Sequence, residues 1–447
     1  MVAHHPPGSF EPSGSAYVDR LHGRGVELVG GSVVDMAGIV RAKYVPVRRL
    51  PAFHQAGMGA SPSWSVFTID GGIAFTPSLN VIGDRRIRIH PEDVRVVADG
   101  VGWAPGDLCD QDGEPSAMCG RSILRRISEK AGLTAYVGAE LECTLLSPDG
   151  GHASTHPWAP YGVRTSLERS DLLVDLLKAA ERAGLGIEQL HTEFAPDQLE
   201  ISLAPDHPVA AADAVVLARI LLGRVAAKHG LLVSFSPVPF AGEGGNGAHL
   251  HLSLADAEGP LLSGGDGPHG LRREGGAAIA GILDGLPGLL GVYAGSAVSS
   301  PRLQPGNWSG ATVCWGLENR EAAVRLVAAT PGSPHGASLE LKVVDPSANP
   351  YLAVAALLGS ALDGIRRGLP LPDEVPGNPV GADLDLPTLP SDQAAAIDAL
   401  VASPLATQVL GAPVVEGVAA VRRHEVATYA DRPLTETTRA LRLAWTC

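Results

Sequence analysis

No run of eighteen uninterrupted apolar residues occurs in this 447-residue chain, so no segment is expected to span a bilayer. The opening stretch, Met-Val-Ala-His-His-Pro-Pro-Gly-Ser-Phe, lacks the basic and apolar regions of a secretory signal. Basic residues are in deficit: 34 Lys and Arg stand against 48 Asp and Glu, a formal charge of −14. That balance argues against nucleic acid or an anionic membrane surface as partner, since both are bound through basic patches. Cysteine is scarce. Cys109, Cys119, Cys143, Cys314 and Cys447 form no CxxC pair and are odd in number, which points to free thiols in a reducing cytoplasm. No GxxxxGK[ST] motif exists, so any nucleotide is held without a P-loop. No repeat of useful period is visible either. What is present, 45% hydrophobic and 18% charged residues, suits a globular chain long enough for two or three domains.

Residues 1–15, rich in Pro, Gly, Ser and His, read as a disordered tail. Short strands follow at Val26–Val29, Ser32–Asp35, Val66–Ile69, Arg86–His90 and Val94–Ala98, implying a small sheet-rich domain over residues 16–110. Asp107–Pro115 reads as a linker or loop, and residues 111–447 as a second, mixed domain. There a helix is expected after Ser122 and another over Asp171–Ala183, capped by Ser170 and stopped by Gly184. A third is expected from an Asp206 cap through Pro208 to Ala227, ended by Gly230. A fourth opens at Asn349-Pro350 and closes near Gly368, and a Pro-rich stretch, Leu369–Pro390, leads to a helical C-terminal segment.

Five carboxylates and a histidine carry the chemistry. Glu140 and Glu142 lie in Ala-Glu-Leu-Glu-Cys, Glu193 and Glu200 in Glu-Phe-Ala-Pro-Asp-Gln-Leu-Glu, His249 in Ala-His-Leu-His, and Glu340 in Leu-Glu-Leu. Side chains alternate across a strand, so Glu140 and Glu142 share a face, as do His249 and His251. Pro196 makes one helix through Glu193 and Glu200 untenable, leaving two short strands joined by a turn. Each motif alone is weak: alternation is usually a strand with its wet face outward, and a lone histidine is usually a hydrogen-bonded one. Together they make an acidic wall whose mutual repulsion calls for a cation, and the oxygen-rich, thiolate-free set suits a pair of Mg²⁺ or Mn²⁺ ions.

Gly242-Glu-Gly-Gly-Asn-Gly247 matches GxGxxG, but it runs into an alternating strand and not a helix, so it reads as a glycine-rich hairpin approaching a ligand. Arg302, Arg320 and Arg325 either form salt bridges with these acids or grip phosphate and carboxylate groups. Cations, two metals and no P-loop point to phosphoryl chemistry on a small carboxylate.

The order of motifs resembles the glutamine synthetase superfamily, type I-like, from about Gly25 to the C-terminus. The matching pieces are Asp35 with Arg41-Ala-Lys43, Gly-Ala-Glu-Leu-Glu, Glu193 with Gln198-Leu-Glu200, and Asn-Gly-Ala-His-Leu-His. Arg-Leu-Gln-Pro-Gly, Asn-Arg-Glu-Ala-Ala-Val-Arg, and Glu340 with Asp345-Pro-Ser-Ala-Asn-Pro-Tyr351 complete them. The resemblance implies an α+β fold: a small N-terminal β-grasp domain, then a large catalytic domain of antiparallel sheet and flanking helices. It implies that Glu142, Glu193 and Glu200 hold one metal and Glu140, His249 and Glu340 another, within a complement of two or three Mg²⁺ or Mn²⁺ ions. Arg302 and Gly245 would meet glutamate, while His251, Ser253 and Arg325 would meet ATP. Arg320 and Lys342 would serve the transferring phosphoryl group. Asp70, in Ile-Asp-Gly-Gly, resembles the aspartate that a neighbouring subunit contributes to the nucleophile site, in a dodecamer of two hexameric rings.

The sequence departs from ammonia-using members. Trp308 stands where they carry a flap glutamate, and an indole supplies no base but lines an apolar or cation–π site. Lys342 replaces an arginine, Gly244 replaces a glutamate-binding asparagine, and Leu384-Asp-Leu-Pro-Thr-Leu-Pro lacks an adenylylation tyrosine. These changes resemble the glutamate–amine ligases, including γ-glutamylpolyamine and γ-glutamylethanolamide synthetases. The implied activity is an ATP-dependent ligation of glutamate to a primary amine through γ-glutamyl phosphate in the cytoplasm. The rivals are an authentic glutamine synthetase, a catalytically silent regulatory relative and, more distantly, a glutamate–cysteine-type ligase.

Overall fold

The computed structural model describes residues 14–382 and 384–446. The predicted tail and Cys447 therefore lie outside the described residues, except that Gly14 and Ser15 open a helix, α1 (Gly14–Gly23). The N-terminal sheet has six strands: β1 (Leu28–Val34), β2 (Val40–Pro46), β3 (Met58–Ala60), β4 (Arg85–Ile89), β5 (Arg95–Ala98) and β6 (Val101–Cys109). Its first and last strands, β1 and β6, pair in parallel at the centre, the β-grasp arrangement, with the short helix α2 (Leu50–Gln55) against it. Phe53, Ile87, Ile89 and Leu108 form a core of its own there.

Val26–Asp35, read as two strands, is one, because nothing breaks the apolar run at Gly30-Gly31. Phe67 makes only an isolated bridge to Ile73, so the predicted strand Val66–Ile69 is absent. Asp107 through Cys109 is not linker but the end of β6. Asp107 is buried there by Arg121 at 3.2 Å and Arg125 at 3.0 Å, a charge pairing that a sequence scan for polar loops misreads.

The second sheet has nine strands: β7 (Thr134–Leu146), β8 (Ile187–Thr192), β9 (Gln198–Asp206), β10 (Leu232–Ser234), β11 (Ala248–Asp256), β12 (Gly259–Pro260), β13 (Thr312–Leu317), β14 (Ala322–Val327) and β15 (Ser338–Leu341). The order runs β13-β14-β15-β11-β7-β9-β8. Pairing is antiparallel as expected, except that β13 joins β14 in parallel. The helices α3 (Gly120–Glu129), α4 (Val163–Glu168), α5 (Ser170–Ala183), α6 (Pro208–Lys228), α7 (Arg273–Tyr293), α8 (Pro350–Arg367), α9 (Gln393–Ala402), α10 (Pro404–Leu410), α11 (Ala412–Tyr429) and α12 (Leu434–Leu441) complete the fold.

Asn349 caps α8 through Tyr351 and Leu352 N–H, and Gly368 ends it in the left-handed conformation, both as predicted. Two predicted caps fail. Ser170 is the first residue of α5 and makes no cap bond, and Asp206 turns its carboxylate to His207 N–H at 2.7 Å and does not cap α6. Among the described residues, α7 is the one helix long and apolar enough to cross a bilayer, and bent α10–α11 would qualify if taken as one span. Here α7 is buried, lying so close to α8 that a Cβ on Gly364 would come within 2.1 Å of Ala277 O.

Candidate metal centre

The register of the large sheet decides the site. His249 of β11 stands opposite Glu140 of β7, and Glu142 stands opposite Glu200 of β9. His251 faces Glu340 of β15, which in turn faces Arg325 of β14, and Glu200 faces His191 of β8. Directly opposed residues carry side chains about 5 Å apart on one face. One stripe of acids and imidazoles therefore crosses six neighbouring strands, with Arg325 at one end. The glycine-rich segment is not a hairpin: β10 and β11 lie end to end on the same edge of β7, and Gly242–Gly247 loops out between them. A Cβ on Gly247 would sit 2.5 Å from His249 Nε2 and 3.0 Å from Glu142 Oε1, so glycine there lets backbone approach the cluster.

His249 Nδ1 lies 3.3 Å from Glu140 Oε2 and 3.4 Å from Glu340 Oε1, and these three offer ligand atoms within 4.8 Å of one another. Glu142, Glu200 and His249 form a second such group, and His191, Glu193 and Glu200 a third. The expected grouping of Glu142 with Glu193 and Glu200 is thus divided, with Glu200 common to both parts. Glu193 lies just past β8, where Tyr161 Oη and Phe194 N–H, each at 2.9 Å, hold its carboxylate towards the turn. His191, which sequence reasoning missed, lies between, with Nε2 3.3 Å from Glu200 and Nδ1 3.4 Å from Glu193. The signal was available: His191 and Glu193 alternate as Glu140 and Glu142 do.

Burial and the neighbouring Glu200 carboxylate push Glu142 up to about 8, although Gly247 N–H and Gln198 Nε2 donate to it at 2.8 and 2.7 Å. Burial likewise raises Glu200. Glu140 behaves oppositely: against its burial, the imidazoles of His249 and His251 hold it well below the usual carboxylate range. Glu340, also against burial, is held at about 2 by Lys342 and the same histidines. Burial and Lys342 lower His249 to about 4, leaving a neutral imidazole. His191 Nδ1 and His251 Nε2 are buried without an aligned hydrogen-bond partner, although His251 Nε2 lies 3.2 Å from Glu140 Oε1. Carboxylate oxygens, a neutral imidazole, an acid driven up by burial beside a second carboxylate and two ring nitrogens without aligned hydrogen bonds fit a hard divalent cation.

The remaining predicted residues are distributed as follows. Arg302 is buried behind His249, donating to Val343 O and Lys342 O at 3.1 Å each, with Nη2 3.2 Å from His249 Nε2. A Cβ on Gly245 would meet Pro237 O at 2.4 Å and Arg302 Cγ at 3.1 Å; one on Gly244 would meet Ala195 Cβ at 2.9 Å. Lys342 Nζ pairs with Glu340 Oε1 at 2.9 Å, and Arg325 with Glu340 Oε2 at 3.1 Å and with Glu318. Ser253 donates to Ala337 O at 2.9 Å, and His251 Nδ1 lies 3.2 Å from Ser338 Oγ.

Arg320 is exposed on the β13–β14 turn and, among the described residues, pairs with none of the five acids; its charge acts on Glu318. Trp308 is 61% exposed with φ 53°, its backbone N–H held with that of Gly306 by the Glu321 carboxylate. Asp70 accepts from Thr68 Oγ1 at 2.5 Å and lies 2.9 Å from His424 Nε2, contacts that outweigh its partial burial and hold it at about 2. Among the described residues it bonds to no member of the cluster.

A family profile described as glutamine synthetase, catalytic domain, matches residues 117–440. The chain is 39% identical to the gamma-glutamylpolyamine synthetase GlnA3 of Streptomyces coelicolor over 84% of its own length and 83% of that protein's. It is 33% identical to the gamma-glutamylethanolamide synthetase GlnA4 of the same organism over 67% of each. A crystal structure of a glutamine synthase homologue superposes with a TM-score of 0.85 at 31% identity, covering 94% of this chain and 99% of that one.

Proposed function

From the chain's membership of the glutamine synthetase family, we propose that it is a glutamate–amine ligase, an ADP-forming carbon–nitrogen ligase making a γ-glutamylamide. The observation carrying this reading is the stripe of Glu140, Glu142, Glu200, His249 and Glu340 across four paired strands, with an indole and not a carboxylate at position 308. Glu140, His249 and Glu340 would hold one divalent cation, and Glu142, Glu193 and Glu200, with His191 beside them, another. Such cations, when bound, neutralise phosphate charge and orient the phosphates of ATP.

The protein's own groups do the rest. Arg302, Gly245 and Trp308 would line the substrate side, while His251, Ser253 and Arg325 face ATP. The γ-carboxylate oxygen of glutamate attacks the γ-phosphorus, the bond to the ADP oxygen breaks, and Arg320 and Lys342 offset the shifting negative charge. The bound ammonium gives up one proton to solvent, the freed amine nitrogen attacks the acyl carbon, the carbon–oxygen bond to phosphate breaks, and the departing phosphate takes the second proton from the new amide nitrogen. Asp70, ionised at any working pH, suits holding the ammonium form of the amine better than storing its proton. In this reading Asp70 serves a neighbouring subunit of a homo-oligomer, and residues 16–110 form a domain separate from 111–447.

Phosphate release with glutamate and ATP held constant, across ammonium, ethanolamine, putrescine and longer polyamines, tests the proposal. Turnover with one or more amines and little with ammonium is expected. Turnover with ammonium alone would instead make the chain an authentic glutamine synthetase.

A further inference from the structure

The turn between β8 and β9 contains an anomaly. Asp197 adopts φ 59°, a left-handed conformation that disfavours side chains, and its carboxylate is buried. A non-glycine residue held there needs surroundings that fix it. The donors around it come from two places. Ala153 N–H and Ser154 N–H donate to Oδ2 at 3.0 and 3.1 Å, and Ser154 Oγ donates to Oδ1 at 2.5 Å. Arg169 Nη2, at the entrance to α5, donates to Oδ1 and to Ser154 Oγ, each at 2.9 Å. His152 Nδ1 adds an ion contact at 3.4 Å.

One carboxylate therefore gathers both ends of the segment 153–169. The middle of that segment reaches Glu193. Trp158 Nε1 donates to Glu193 O at 3.0 Å, Tyr161 Oη donates to its carboxylate at 2.9 Å, and Ser166 Oγ lies 3.1 Å from Thr192 Oγ1. Tyr161 itself has φ 56° and is 58% exposed, so packing does not hold it there. His152 extends the tie: its Nε2 lies 3.2 Å from Glu243 of the glycine-rich loop, and its ring stacks on Phe240 at 4.1 Å.

We propose that Asp197 is a positioning residue: it clasps the segment 153–169 across the β8–β9 turn and thereby sets the Glu193 carboxylate that Tyr161 holds. What is positioned rests on the reading of Glu193 as a cation ligand given above. A purely local role, pairing with the part-buried Arg169 guanidinium, would leave Glu193 unaffected. A clasp transmits its loss to the far side of the segment.

Asp197→Gly separates these cases, because glycine takes φ 59° without strain while the anchor is lost. Three quantities are read on the full chain: amide hydrogen exchange over residues 154–168, calorimetric Mn²⁺ affinity, and KM for amine against KM for ATP. Exchange at least tenfold faster in that segment, Mn²⁺ binding at least tenfold weaker and a raised amine KM with ATP KM within twofold are expected. Asp197→Asn, which tolerates the same backbone and keeps an acceptor for Ala153 and Ser154, should recover part of each loss. Unchanged exchange in Asp197→Gly, or faster exchange with Mn²⁺ affinity intact, would overturn the proposal. Should Asp197→Gly fail to fold, the double variant Ser154→Ala, Arg169→Gln leaves the turn untouched, and the same outcomes decide. Absence of Mn²⁺ binding and of amine-dependent turnover in the wild type would overturn the reading of the site instead, and the exchange comparison alone would then decide the clasp.

Discussion

His249 stands directly across from Glu140 in the antiparallel pairing of β7 with β11, its Nδ1 3.3 Å from the carboxylate. Residue types hundreds of ångströms apart along an extended chain become neighbours through strand register alone. A one-residue slip would send every member of that stripe to the opposite face.

Glu340→Gln should remove activity to below about a thousandth of wild type while keeping the fold. The carboxylate is nearly inaccessible and pairs with Lys342 and Arg325 as well as lying 3.4 Å from His249. Glu340→Ala should be worse for stability, because it leaves the Lys342 ammonium buried and unpaired; breaking a buried pair this way costs about 3–5 kcal/mol. Thermal unfolding separates the two variants, and phosphate release measures the loss. Substantial turnover in either would remove Glu340 from the site.

The pH response follows from Glu142. Its folded-state value, about 8, lies above the ordinary 4.5 of the unfolded chain, so between these pH values the folded form binds the extra proton. Stability of the metal-free protein from this group is present below about pH 4.5 and is lost as pH rises towards 8. A cation competes with that proton, so Mn²⁺ affinity should climb by up to about tenfold per pH unit and level off above 8. Calorimetry from pH 6 to 9 checks the slope, and Glu142→Gln should flatten it.

Much of this centre was legible in the sequence because strand alternation is local: Glu140 with Glu142 and His249 with His251 needed only a period of two. The glycine loop at Gly242–Gly247 was separable from a dinucleotide fingerprint because it meets a strand. Asn349 and Gly368 announced their helix because caps are also local. The failures have separate causes. Asp107 looked like linker because the arginines that bury it are set by tertiary contacts, whereas Asp206 and Ser170 looked like caps because a sequence scan does not fix the helix start or the side-chain direction to the residue. His191 belongs to another kind, a local signal that was readable.

Trp308→Ala should raise KM for the preferred amine about tenfold and leave KM for ATP within twofold. The ring is largely exposed and its φ of 53° is maintained by Glu321 through backbone hydrogen bonds, so removing the indole does not release the loop. A cation–π contact with an ammonium contributes about 0.5–2 kcal/mol, which corresponds to that range of affinity. Steady-state kinetics with amine and ATP varied separately checks this, and equal amine KM in both proteins would remove Trp308 from the substrate path.

Asp70 and His424 supply the last test. Thr68, His424 and Gly72 together keep the Asp70 carboxylate at about 2, despite its partial burial. An acid held there is charged throughout the pH range in which enzymes are assayed, so it contributes no limb to a profile between pH 5 and 9. Asp70→Asn removes the charge and keeps the shape. It should raise amine KM at least tenfold without adding or removing a limb in the pH profile of kcat/KM. His424→Ala removes one hydrogen-bond partner but leaves the charge, so its amine KM should stay within about threefold of wild type. A base that stores the amine proton would behave otherwise, since Asp70→Asn would then erase an acidic limb and lower kcat more than it raises KM. The comparison of the two profiles therefore discriminates a carboxylate that holds an ammonium group from one that deprotonates it.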